Sequence, residues 1–254
     1  MSDRTSLGNR MKKYEGVPDS YLVPRMPVIL RLDGKAFHTL TRGMDKPIDW
    51  RFNECMALTA QTLCENIDGA KIAYTQSDEI SLLLVNYRTL QTQPWFGNRV
   101  QKMCSVAASI ATASFNSLFL RVFPERGIMG LFDCRAFNLP KEEVVNYFIW
   151  RQQDASRNSV ASLAQAHFSH KELHGKDFGA MQDMLMLQRE INWNACPTVQ
   201  KRGLCITRGA SLQKVVQNGE VVSTARHSWG EDNDIPRFSK DRGYIQQLVD
   251  VEEG

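Results

Sequence analysis

Two aspartates stand in matched settings. Asp33 ends an apolar run in RLDGKAFH, and Asp78 sits in the polar break of YTQSDEIS, with Glu79 beside it. Two hard carboxylate oxygens joined by a free backbone carbonyl suit Mg²⁺, which keeps few protein ligands and takes the rest from water or phosphate. A pair of such ions activates an attacking oxygen and neutralises charge on a transferring phosphoryl group. Cationic groups gather around Asp33, namely Arg31, Lys35, His38 and, after a short loop, Lys46. They match triphosphate oxygens, and Gly34 lets a backbone approach closely. The plainer alternative stays open, because Asp-Gly and Ser-Asp are common turn formers.

The chemistry requires elements that bring the two aspartates together. VILRLDG (28–34) predicts a strand that stops at a turn, and Asp49 caps a helix over WRFNECMALTAQTLCEN. KIAYTQSDEISLLLV (71–85) reads as two strands joined at Gln76–Glu79. A long helix is expected from Gly97 to Phe123 and another strand over 130–139. The order β-α-β-β-α-β is ferredoxin-like: an antiparallel sheet with helices on one face, of the α+β class. In that order the first strand neighbours the hairpin, so Asp33 and Asp78 meet at one edge of the sheet. Helices are expected over 141–168 and near Phe178–Glu190, followed by a hairpin turning at Asn218-Gly219. The polar segment after Ser228 is expected to be irregular until a short final helix. Without a Pro/Gly/Ser linker, residues 1–254 read as one catalytic unit. Its core is 24–140, with the helices and hairpin of 141–254 packed on it.

The 254 residues carry 43% hydrophobic and 23% charged side chains, an ordinary globular balance, with a net charge of +3 that permits a polyanionic partner. No run of the sequence approaches 18 apolar residues, so no membrane span is expected. The opening MSDRTSLGNRMKKYEG lacks an apolar signal core. Six cysteines without a C-x-x-C pair read as buried free thiols, and the expected location is the cytoplasm. No phosphate-binding G-x-x-x-x-G-K-[ST] loop and no G-x-S-x-G elbow is present. His167, His170 and His174 have zinc-compatible spacing, but a hydrated polar face is the preferred reading. Trp193, Arg202, Arg208, Arg226, His227 and Trp229 mix cations and aromatics as RNA-end surfaces do, although tryptophan is more often core.

The strings RLDGKAFHTL…MDKPID, IAYTQSDEIS, NRVQK and WRQQDASRN together resemble the tRNA-histidine guanylyltransferase family and its Thg1-like relatives, which are reverse (3′-to-5′) nucleotide polymerases. The resemblance runs from about Arg4 to Lys201-Arg202-Gly203. It implies a polymerase-type palm and two Mg²⁺ ions held by Asp33, Asp78 and the Gly34 carbonyl. It implies that Asp33, Gly34, Lys35, Ala36, Phe37, His38 and the pair Ser77-Asp78 cradle a nucleoside triphosphate (ATP or GTP), with Lys46 on its phosphates. Less directly, Arg31, Glu79, Arg99, Lys102 and Arg135 are assigned to triphosphate or RNA. Eukaryotic members carry a HINNLYN block after WRQ-x-D-x; here the chain reads SRNSVAS (156–162), with Asn158 retained and Ser156 in place of His. That departure points to the Thg1-like branch, which rebuilds truncated tRNA 5′ ends by template pairing. Arg151, Asp154 and Asn158 share a helix face, either as a buried polar network or as RNA contacts. Relatives form tetramers, so a homo-oligomer is expected. Single-G addition to histidine tRNA, a nucleotidyl cyclase and a non-catalytic tRNA-binding module are the competing readings.

Overall fold

The computed structural model describes residues 5–217 and 220–250. In chain order the elements are α1 (Ser6–Gly16), β1 (Val28–Gly34), α2 (Phe37–Leu40), α3 (Trp50–Asn66), β2 (Ala70–Gln76) and β3 (Glu79–Leu84). Then follow α4 (Val100–Val122), β4 (Phe132–Asn138), α5 (Lys141–His167), α6 (His170–Leu173), α7 (Phe178–Arg189) and α8 (Thr198–Arg202). The last are β5 (Leu204–Gln217), β6 (Glu220–Asp232) and α9 (Gly243–Val249). The strands form one antiparallel sheet in the order β4-β1-β3-β2-β5-β6. The expected β-α-β-β-α-β core is present, and the later hairpin extends the same sheet beside β2.

Alternation along the strands divides the core between the two faces. Leu30, Leu32, Ile80 and Leu82 point to one side, where α3 and α4 cover them. The side chain of Asp49 accepts from Arg51 N at 3.1 Å and starts α3. Phe52, Met56, Ala60 and Leu63 then recur on one helix face. On α4 the buried stripe is Met103, Ala107, Ala111, Phe115 and Phe119, whose alanines let the helix approach closely. By length and composition α4 is long and apolar enough to cross a membrane, contrary to expectation, but its stripe is spent on the sheet.

The opposite face carries Ile29, Ile72, Tyr74 and Leu83, covered by Val144, Val145 and Phe148 of α5 and by Ile245 and Val249 of α9. Helices therefore cover both faces once α5 and α9 are added to the palm's own α3 and α4. A smaller cluster of Leu163, Phe168 and Leu185 joins α5 to α7.

Two expectations change in detail, and a third cannot be compared. β6 continues through Ser228-Trp229-Gly230-Glu231-Asp232, because this segment pairs with β5 from Cys205 to Gly209 and Trp229 packs on the core. The Asn218-Gly219 turn lies outside the described residues. Of the six free cysteines only Cys55, Cys64 and Cys205 are buried, while Cys104, Cys134 and Cys196 are partly exposed.

Candidate active site

Asp33 and Asp78 are brought together by two tight turns. β1 ends in Gly34 next to the β2–β3 turn, and Gly34 N–H donates to the Asp78 carbonyl at 3.1 Å. On the other side, Lys35 N–H donates to Leu131 O at 2.8 Å. Leu131 is fixed from behind, because buried Asn116 donates to Gly130 O at 2.7 Å and accepts from Gly130 N at 2.9 Å. Gly34 is required by packing: a Cβ there would meet the Phe37 ring at 2.5 Å. That ring is wedged among Phe52, Phe115 and Phe132 and has no room to yield.

Both turns hold a non-glycine residue at positive φ, Ala36 at 56° and Ser77 at 50°. Such backbone costs about 1–3 kcal/mol per residue and is concentrated at functional sites. Burial, together with the Asp33 and Glu79 carboxylates, pushes the Asp78 carboxyl above its ordinary value. Neither Asp33 nor Asp78 is paired with a Lys or Arg among the described residues. Adjacent, partly desolvated carboxylates without a protein cation fit a divalent ion. Among the described residues no three His, Cys, Asp or Glu side chains converge on such a site. The donors would therefore be the two carboxylates, the Gly34 carbonyl and oxygens of the substrate.

Beside the turns opens a cavity of about 370 Å³ lined by Lys46, Phe52, Ser77, Asn158, Ser162 and Gln200, among others. The size is that of a small-ligand site. Arg126 holds the loop leading to it, donating to the carbonyls of Leu40 and Arg42 at 2.8 Å. Ser162 of α5 donates to Pro47 O at 2.9 Å and ties Lys46's loop to the helix. Lys35, Ala36 and His38 are exposed but are not among the described residues that line the cavity, and the Phe37 side chain is buried in the core, so only its backbone can face a ligand.

The remaining residues expected at the site divide. Asp33 pairs across the sheet with Glu79 on one side and Asp133 on the other, and Arg31 pairs with Arg135. These residues share one face, so Arg135 stands exposed one pleat from Asp33. Glu79 and Arg151 are both buried and bind each other in two hydrogen bonds of 2.6 and 2.7 Å. Arg31 Nε stands 3.1 Å from Glu79, and Arg151 also reaches Asp154 at 3.0 Å. Glu79 and Arg151 therefore form a buried orienting pair joined by the partly exposed Asp154, whereas Asn158 lines the cavity.

Arg99 and Lys102 lie elsewhere. Arg99 pairs with Asp19, and its neighbour Asn98 bonds Asn86, beyond the far end of β3. With a rise near 3.3 Å per residue, that end is about 17 Å from the carboxylates. A single chain does not bring Arg99 or Lys102 to Asp33.

His167, His170 and His174 fall at the end of α5, at the start of α6 and just past its end rather than on one helix, and all three are exposed. Asp133, Asn116 and Arg126 were not singled out from the sequence. Strand register alone reveals the first, and long-range bonds the other two.

An antiparallel palm whose first strand and adjoining hairpin present paired carboxylates, with a small-ligand cavity beside the hairpin turn, fits the class of nucleotidyltransferases. Comparison with known proteins narrows the class. A family model described as Thg1, tRNAHis guanylyltransferase, matches residues 8–140, just over half of the chain. A bacterial tRNA(His) guanylyltransferase (Thg1)-like protein solved in complex with ATP is 46% identical, with a TM-score of 0.88, and covers 97% of this chain and 100% of that one. The GTP complex of a bacterial protein of the same description is 45% identical with a TM-score of 0.79 and the same coverage. The tRNA(His) guanylyltransferase of Saccharomyces cerevisiae is 26% identical over 209 residues, 75% of this chain and 86% of the yeast protein. The chain belongs to the tRNA-histidine guanylyltransferase (Thg1) family, whose members are nucleotidyltransferases acting on tRNA.

Proposed function

We propose that this chain extends the 5′ end of tRNA in the 3′-to-5′ direction, choosing each nucleotide by pairing with the opposite strand. The observation that carries this reading is the stitched pair of strained turns, Asp33-Gly34 and Ser77-Asp78, the second of which reaches the Lys46–Asn158 cavity through Ser77. The family supplies the reaction class, and the bacterial relatives solved with ATP and with GTP support nucleoside triphosphates as substrates. Ser156 and the SRNSVAS segment, which depart from the eukaryotic block, favour templated repair over single-G addition.

Asp33, Asp78 and the Gly34 carbonyl would hold two Mg²⁺ ions, which when bound lower the pKa of an attacking hydroxyl and offset charge on phosphate. The cavity receives the nucleoside, with Asn158 available to its polar edge. Lys46, Ser77 and the 35–38 segment face the triphosphate. In the activation step an oxygen of the tRNA 5′-monophosphate bonds to the α-phosphorus of ATP, and pyrophosphate leaves. In transfer the 3′-oxygen of an incoming triphosphate bonds to the activated 5′-phosphorus, the hydroxyl proton goes to solvent, and AMP leaves. A 5′-triphosphate end skips activation and releases pyrophosphate. The buried Glu79–Arg151 pair holds the Asp78 turn in register. Arg99 and Lys102, far from their own carboxylates, reach a triphosphate only if a second copy presents them, which is why a homo-oligomer, a tetramer as in relatives, belongs to this reading. We place the enzyme in the cytoplasm.

The test supplies purified protein with a 5′-truncated tRNA and one labelled nucleotide at a time. Growth that follows the opposite strand is expected. Addition of G regardless of that strand would establish the single-G reading instead, and product from nucleotide alone would establish a cyclase.

A further inference from the structure

The cations and aromatics of the second half do not form one surface. Trp229 packs against the core, while Arg208 and His227 stand on the exposed β5–β6 ribbon. Trp193 and Arg202 instead share a second cavity, of about 420 Å³, with Arg157, Lys201, Arg237 and Ser239. This cavity is the far side of the wall that bounds the first one. Asn158 and Ser159 of α5 and Gln200 of α8 line the first, whereas Arg157 of α5 and Lys201 and Arg202 of α8 line the second. Trp193 Nε1–H donates to Ser159 Oγ at 3.0 Å across that wall.

Among the described residues four cations line the second cavity and no Asp or Glu does. Lys201 Nζ donates to the Asn194 carbonyl at 2.6 Å and Arg157 Nε to the Gln153 carbonyl at 3.3 Å, so both are positioned by neutral groups. Neither Arg202 nor Arg237 has an ion pair among the described residues. Arg202 Nε is buried without a hydrogen-bond partner. Burial, and then the Arg237 charge, push the Arg202 guanidinium below its ordinary value. The nearby carboxylate of Asp234 already accepts from Thr198 Oγ1 at 2.7 Å.

Buried donors are normally satisfied, and clustered guanidiniums repel one another unless an anion lies between them. Guanidinium forks match phosphate oxygens two at a time. The volume exceeds what a bare ion needs and suits a nucleotide. Trp193, half-buried at the same cavity, offers a ring edge or face to a base.

We propose that this cavity holds one nucleotide of an RNA strand, its backbone phosphate between Arg157, Arg202 and Arg237 and its base against Trp193. The inference rests on the reading of tRNA as substrate and adds a strand-holding subsite behind the nucleotide cavity. Free nucleotides share the same chemistry, so the experiment separates the two sources.

Binding of a labelled tRNA is measured by fluorescence anisotropy across a salt series for the chain and for Arg157→Gln/Arg237→Gln, two exposed positions whose replacement spares the core. Lys171→Gln/Lys176→Gln removes the same charge outside the cavity, and thermal unfolding checks the fold. The cavity variant is expected to bind about tenfold more weakly, with a log–log salt slope shallower by about 1, the signature of one lost phosphate contact. The control variant should follow the parent. Unchanged affinity and slope, or equal losses in the control, overturn the site. A variant that loses affinity for ATP but not for tRNA overturns the RNA assignment in favour of a free nucleotide. Because binding is read without turnover, a chain that grips tRNA through this cavity yet adds no nucleotide contradicts the polymerase reading alone.

Discussion

Cutting the buried ion pair under the Asp78 turn should unsettle fold and site together. Glu79 and Arg151 are each 5% exposed, and they meet in two hydrogen bonds of 2.6 and 2.7 Å. In Glu79→Met the guanidiniums of Arg151 and Arg31 lose their shared carboxylate. Breaking one side of a buried pair costs about 3–5 kcal/mol. Asp154, 3.0 Å from Arg151, keeps a partner in place and sets the expectation near the lower bound, about 3 kcal/mol. In Arg151→Met, Glu79 retains Arg31 at 3.1 Å, so about 2–3 kcal/mol is expected. The double variant leaves Arg31 facing apolar neighbours and Asp154 without Arg151, but their side chains are 20% and 37% exposed, so water relieves both. The double loss should therefore be about 2–3 kcal/mol, well short of the sum, with a coupling of about 3 kcal/mol. Urea unfolding followed by circular dichroism at neutral pH measures all four corners of the cycle. Single losses below about 1 kcal/mol, or strict additivity, would refute the reasoning by showing that the pair is screened like a surface bridge.

Gly34→Ala forces a Cβ against the wedged Phe37 ring. It should cost about 1–3 kcal/mol in urea unfolding and lower 5′ addition in the same preparation; a neutral result would mean that the ring cluster yields. Asp49→Ala removes the α3 cap and should cost about 1 kcal/mol. The Arg51 hydrogen bond holds the Asp49 carboxyl below its ordinary value, so this contribution is present above the unfolded-state pKa and is lost as pH falls through the folded one. The gap between parent and Asp49→Ala should thus be constant from pH 7 to about 5 and shrink below about 4; a gap that widens in acid contradicts the sign. Asn158→Leu, at an exposed cavity-lining position, should weaken ATP binding about tenfold by calorimetry while leaving the unfolding midpoint in place, because a buried polar edge loses its partner. Unchanged affinity would remove the nucleoside from this cavity.

The frame that carries Asp33 and Asp78 was legible because its signals are local. VILRLDG alternates and stops at Asp-Gly, and the hairpin breaks at Ser77-Asp78, so strand order alone places the two aspartates side by side. What escaped depends on distance in space. Spacing puts Arg99 and Lys102 on a helix start but does not say which end of the sheet that start occupies. Glu79 looks like a third functional acid beside Asp78 and shares a sheet face with Asp33, yet the buried Arg151 guanidinium of a distant helix claims its carboxylate. Phe37 lies inside the cradle motif, but the pocket among Phe52, Phe115 and Phe132 claims its side chain. Ala36 gives no hint of its left-handed backbone, because alanine rarely adopts it. The continuation of β6 through polar residues follows from pairing with β5, which composition does not encode.

The account stands on Asp33 and Asp78 sharing divalent ions with a nucleotide. Mn²⁺ binding in the presence of ATP, counted by electron paramagnetic resonance, reads this without turnover. The parent chain should bind two Mn²⁺ ions beyond those held by free ATP, and Asp33→Asn and Asp78→Asn should each lose at least one while their circular dichroism stays unchanged. Full Mn²⁺ stoichiometry in both variants would contradict the claim.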